Sequence, residues 1–302
     1  MNLSADDIYK IKSRLLAYSP NLKQSCFLLL FVVASYVIAA IVVIQTIYYV
    51  SLILLPYLPE WAHRFYHNWV WHRELGLTSE YSWVFLLSIC LFVFFAVAGV
   101  VILGRNSSYM PVTPPHQSPL LWLLLVPFIL SVNVSVGLLT EWIPNIIIDV
   151  NFQTGLPRFL SMVVIMPLFE EWLGRGIILK GLLTHYSPLK AIVWSSVMFG
   201  VLQIDPNAAV SVFCGALAIG WVYWRTRSLW LCIFMHATSN MVEFLVKFYI
   251  PGKTTFADLI GNYFMAIAIA LFVCALTWVL IKKIIVPYDA TSDMRNRQEV
   301  NV

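Results

Sequence analysis

Apolar residues along this chain arrive in long, nearly unbroken runs, and polar residues gather between them. The runs lie near 24–55, 82–104, 119–140, 157–179, 189–204, 208–224, 228–249 and 258–285. Most reach the roughly 20 residues that a helix rising 1.5 Å per residue needs to cross a hydrocarbon core about 30 Å thick. The pattern predicts an all-α polytopic membrane protein, a bundle of about eight transmembrane helices. The fifth and sixth are short and joined by a tight Asp205-Pro206-Asn207 turn. With no internal repeat and no low-complexity linker, residues 1–302 read as a single membrane domain, with a polar N-terminal segment over 1–23 and a flexible polar tail over 289–302.

Composition agrees with the pattern. The chain is 60% hydrophobic and only 11% charged, which excludes a domain surrounded by water. Its net charge of +4 follows topology. Of nineteen Lys and Arg residues, only Arg64, Arg73, Arg158, Lys247 and Lys253 fall in segments on the outer side if the N-terminus is inside, and Arg175 lies within a span; the other thirteen are inner. That asymmetry satisfies the positive-inside rule for an even number of spans with both termini cytoplasmic. Membrane lipids account for the basicity, and no nucleic-acid partner is required. The five cysteines sit in or beside apolar runs without paired spacing and read as small core residues. The loop after the first span carries His63, His67 and His72 among Trp61, Trp69 and Trp71, the composition of a helix lying in the headgroup region.

The fourth run breaks the apolar rule. It contains Phe169-Glu170-Glu171-Trp172-Leu173-Gly174-Arg175, and ionisable groups at membrane depth are costly enough to mark function by default. Successive residues on a helix point about 100° apart, whereas positions four apart share a face. Glu171 is therefore the salt-bridge partner of Arg175, a structural pair that offsets the burial of either charge alone, and Glu170 is left to face a cavity as a general base. Counting helical rise from the inner ends, Glu170 lies roughly 15 Å deep, Gln203 about 20 Å, His236 about 12 Å and Asn240 about 18 Å. One polar site near mid-membrane would collect them. Ser195, Ser196 and Ser239 read as packing hydroxyls, and Gly174, Gly176, Gly181, Ala216 and Gly220 as small residues that let helices approach. Glu243, near the outer end of its helix, can snorkel to water.

At these residues the chain resembles the CPBP family of intramembrane proteases, which includes the type II CAAX prenyl endopeptidases and bacterial bacteriocin-processing enzymes. The resemblance covers about residues 155–250. The family's EExxxR motif matches Glu170, Glu171 and Arg175, and its HxxxN motif matches His236 and Asn240; Gly220-Trp221-Val222-Tyr223-Trp224-Arg225-Thr226-Arg227-Ser228-Leu229 is also similar to its bacterial members. The middle motif, FxxxH, departs: Phe199-Gly200-Val201-Leu202-Gln203 ends in glutamine. The resemblance implies a membrane endopeptidase of the bacterial cell membrane, acting on a peptide or lipidated protein.

It also implies zinc, with Glu170 and His236 as ligands if a metal is present, but a catalytic zinc normally has three protein ligands and a Gln amide is a poor third. Glu243 could complete the set only if its helix tilted inward. A metal-free route asks less: Glu170 as base, the Gln203 amide orienting water, and His236 and Asn240 donating to the tetrahedral intermediate. Two other functions share these residues, a catalytically impaired pseudoprotease that serves as a scaffold or regulator of a partner protein, and a transporter relaying protons through Glu170 and His236.

Overall fold

A computed structural model describes residues 20–49, 57, 59–60, 89–93, 96–97, 116–140, 143, 156–203, 205–249 and 262–289. Among these the structure is helical, without a strand. Seven helices follow in order: α1 (Leu22–Tyr49), α2 (Pro119–Thr140), α3 (156–185), α4 (Pro188–Val201), α5 (Pro206–Thr226), α6 (Leu229–Tyr249) and α7 (Tyr263–Ile284). Residues 89–93 and 96–97, within the run expected as the second span, are helical as well. Among the described residues, α1, α2, α5, α6 and α7 are long and apolar enough to cross a membrane. The chain is an all-α polytopic membrane protein. The loop with His63, His67 and His72, and the segments 1–19 and 290–302, lie outside the described residues.

By packing, the chain divides into two compact units. One contains α2, α4 to α7 and α3 from Glu170 onward; the other contains most of α1 and residues 156–169. In the first unit α2 packs against α5, α6 and α7, and the Trp172–Leu179 segment of α3 packs against α4, α5 and α6.

α3 is not a uniform α-helix. Leu160–Ile165 and Trp172–Leu179 are π-helical, separated by one and a half turns of α-helix at Met166–Glu171. The local sequence gives the reason. Pro167 has no N–H and its ring crowds the carbonyl four residues back, a conflict that a wider turn relieves; accordingly the Met166 N–H bonds to Ser161 O, five residues back. In the second segment Gly174 and Gly176 weaken the preference for α-helix, and Lys180 N–H reaches Arg175 O. Such π segments are frequent at functional sites.

Two of the glycines permit close approach. A Cβ at Gly174 would lie 2.3 Å from the Phe199 ring, and one at Gly181 would lie 2.6 Å from the backbone nitrogen of Pro20. Gly176 has only ordinary contacts beyond 3.8 Å, so its smallness is not used for packing here. On α5, Gly220 faces Ile192 and Leu179, with an added Cβ 3.2 Å from Ile192.

The turn between α4 and α5 follows from Asp205-Pro206. A residue before proline avoids helical backbone, and Asp205 is extended at φ −84°, ψ 125°. Its carboxylate accepts the N–H groups of Asn207 (2.9 Å) and Ala208 (3.2 Å), while Pro206 occupies the first turn, where a missing N–H costs nothing. Asn207 then ties this end to α2 by donating to Thr140 O at 3.0 Å, and the Thr140 hydroxyl donates back to Asn207 Oδ1 at 3.0 Å. Replacing Asp205 by Ala removes the cap and is expected to lower unfolding free energy by about 0.5–2 kcal/mol, with Asp205→Asn retaining most of it. Denaturation in detergent monitored by helicity measures the difference, and equal stability of Asp205→Ala and wild type would rule out this cap as a determinant.

Candidate active site

The polar centre begins with a buried charge. The Arg175 side chain is 3% exposed and that of Glu171 0%. Arg175 Nη1 donates to Glu171 Oε1 at 2.9 Å, and Nη2 donates to the Ala216 carbonyl on α5 at 3.3 Å. Its guanidinium also lies over the Phe199 ring of α4, 4.8 Å from the centroid, within the range where a cation is attracted by the ring face. Three helices thus satisfy one cation.

Glu171 is shared. The same Oε1 lies 2.8 Å from Nδ1 of His236 on α6. A carboxylate oxygen that already receives Arg175 can only accept, so Nδ1 carries the proton and donates. The other edge of the imidazole faces Glu170, whose Oε2 lies 3.6 Å from Nε2. The two glutamates diverge on their helix, as adjacent residues must, yet both reach one imidazole because its nitrogens lie on opposite edges of the ring. Glu171 therefore does more than pair with Arg175: it sets the tautomer and direction of His236. Glu170, with 31% of its side chain exposed, is the carboxylate open to an incoming molecule.

The other residues singled out from the sequence are placed differently. Asn240 is half-buried on α6, one turn beyond His236. Gln203 lies outside any helix, exposed in the turn after α4, with its backbone N–H bonded to Gly200 O at 3.0 Å. Among the described residues its amide has no hydrogen-bond partner. The helix that would have put Phe199 and Gln203 on one face ends at Val201, because the chain must leave helical geometry before Asp205-Pro206. Glu243 is exposed.

Two residues gain a role that sequence reading did not assign. Asn133, in the middle of α2, donates through Nδ2 to the Ser239 hydroxyl, which sits between His236 and Asn240 on α6. Ser239 is thus held across helices, whereas Ser195 bonds within its own helix to Ile192 O at 3.0 Å. An Asn in an apolar run was the available signal. Phe199 was visible only as a motif position.

Among the described residues, no three His, Cys, Asp or Glu side chains are arranged to hold a metal ion. Glu170 and His236 offer two donors, Glu171 Oε1 is engaged by Arg175 and His236, and Glu243 is turned outward. The described residues do not fit a catalytic zinc with three protein ligands.

Residues 152–242 match the family model described as Type II CAAX prenyl endopeptidase Rce1-like. This segment is Rce1-like. It contains Glu170, Glu171, Arg175, Phe199, Gln203, His236 and Asn240, and it coincides closely with the stretch that resembled the CPBP family by its motifs. No curated protein and no solved structure matches the chain. This match supports CAAX-type intramembrane protease activity in general, and Asn133 lies outside the matched residues.

The shared Glu171 makes Arg175 expensive to remove. Arg175→Met is expected to destabilise the protein by about 3–5 kcal/mol, because it leaves a fully buried carboxylate without its cation. In the double variant Glu171→Leu, Arg175→Met, most of that loss should return, since an apolar pair of similar volume avoids desolvation altogether. Thermal denaturation of the single and double variants tests this; equal loss in both would mean that the pair is not what the core depends on.

Proposed function

We propose that this protein is an intramembrane endopeptidase that hydrolyses a peptide bond in a membrane-associated or lipidated peptide or protein, without a metal ion. The observation that carries the reading is the imidazole of His236 set between two carboxylates of unequal exposure, inside an Rce1-like segment. In this mechanism Glu170 takes a proton from a water molecule as its oxygen attacks the scissile carbonyl. The new C–O bond converts the carbonyl to an oxyanion, which accepts a hydrogen bond from Asn240 and, in the state where Nε2 of His236 is protonated as well as Nδ1, a second from that ring. Collapse of the intermediate breaks the C–N bond, and the proton held by Glu170 passes to the leaving amine. Glu171 and Arg175 keep His236 oriented through the cycle. Gln203, out on the turn, would act by holding the substrate or water at the rim of the site. Both termini face the cytoplasm in this reading, which the charge asymmetry supports, and the enzyme resides in a bacterial cell membrane.

A second reading is favoured by one observation. Gln203, at the position where the resemblance expects a histidine, is exposed at a turn without a described side-chain partner. The protein would then be a pseudoprotease that binds a partner or peptide without cutting it and serves as a membrane scaffold.

Purified protein in lipid nanodiscs, presented with prenylated and unmodified peptides and read by mass spectrometry, separates the two. For the endopeptidase, Glu170→Gln should lower kcat by about 10²–10⁴ and Asn240→Ala by about 10²–10³, while a chelator leaves turnover intact. If wild type and Glu170→Gln are equally inert and Gln203→His gains cleavage, the scaffold reading holds instead.

A further inference from the structure

The Phe199 ring occupies an unusual position. Its tip is seated on Gly174, so close that a Cβ there would lie 2.3 Å and 2.4 Å from two ring carbons. Its face lies under the Arg175 guanidinium, 4.8 Å from the centroid. Both Phe199 and Arg175 are buried. A guanidinium held between a ring face, the Glu171 carboxylate and the Ala216 carbonyl has one place to be. We infer that Phe199 is a positioning residue for His236, acting in sequence through Arg175 and Glu171, with Gly174 as the seat that admits its ring. The inference rests on the endopeptidase reading for its catalytic consequence, but its geometric content is independent of that reading.

The physical argument concerns freedom. Arg175 carries planar donors that can pair with a carboxylate in several ways, and Glu171 Oε1 must remain aligned with His236 Nδ1 at 2.8 Å. Slip of the guanidinium would let the carboxylate turn. The imidazole would then lose the bond that fixes its tautomer, the kind of outer contact that orients a catalytic ring. A ring face restrains the cation in a way that an aliphatic side chain cannot, because only the ring attracts it. The ring must also be unsubstituted at its tip, where a hydroxyl would meet Gly174.

The test uses the full chain in nanodiscs with ¹⁵N-labelled imidazoles, the His236 signal being identified by its disappearance in His236→Gln. Wild type should show His236 with the proton fixed on Nδ1. In Phe199→Leu the signal should average between tautomers, and on any peptide that wild type cleaves kcat should fall on the order of ten- to a hundredfold with KM within about twofold. Phe199→Tyr should behave likewise. The double variant Gly174→Ala, Phe199→Leu fills the space with a methyl group: its thermal midpoint should recover toward wild type, while the His236 signal stays averaged and kcat stays low. Recovery of the fixed tautomer or of kcat in that variant would make Phe199 a space-filling residue and overturn the inference, as would an unchanged His236 signal in Phe199→Leu. An inert wild type would instead sink the endopeptidase reading, with the imidazole signal still deciding the role of Phe199.

Discussion

A guanidinium cannot remain among apolar helices unless every part of it is answered, and the arrangement around Arg175 is what this protein builds to answer it. Glu171 neutralises the charge, a carbonyl on α5 accepts from the far nitrogen, and the Phe199 ring covers the face. Glu171 is on the same helix as Arg175, whereas the Ala216 carbonyl and the Phe199 ring belong to α5 and α4, so the guanidinium itself ties α3, α4 and α5 together. Buried ion pairs contribute little net stability when compared with apolar replacements. Their value here lies in specificity: the carboxylate that holds Arg175 also holds His236.

That double use explains why two adjacent acids are present. One carboxylate must be fully desolvated and committed, so that the imidazole has a fixed direction, and the other must remain open to an incoming molecule. On one helix, adjacent residues diverge enough to separate these environments, and the exposures of 0% and 31% reflect it. The imidazole bridges them because its nitrogens lie on opposite edges. The pair closes the short α-helical stretch Met166–Glu171, immediately before the π-helical Trp172–Leu179 segment that carries Gly174 and Arg175.

Small residues do the remaining work of bringing the helices together. Without a hydrophobic force between helices in lipid, packing depends on close approach and on hydrogen bonds across helices. Gly174 and Gly220 supply the first, and the Asn133–Ser239 and Thr140–Asn207 bonds supply the second. The latter bond and the Asp205 cap set the geometry of the α4–α5 turn, and so the exposed position of Gln203.

Several features were legible in the residues alone because they depend on local or one-dimensional physics. Apolar runs of membrane-spanning length state the fold class, since only closed hydrogen bonding survives in lipid. The i, i+4 spacing states the Glu171–Arg175 pair, and proline after aspartate states the turn. Other features depend on side chains from distant positions meeting. That His236 would engage both glutamates, that Phe199 would cover Arg175, and that Asn133 would reach Ser239 follow from how helices cross, and crossing is decided by small residues whose partners a single strand of sequence does not name. Counting depth along straight helices likewise put Gln203 level with the other polar groups, whereas the helix stops before it. The sequence by itself determined which groups are charged, apolar or helix-breaking, and so that a polar site exists within a helical membrane protein. Only the tertiary structure decided that the carboxylate committed to Arg175 also holds His236 and that the Phe199 ring covers the cation, because contacts across helices are properties of the assembled surroundings.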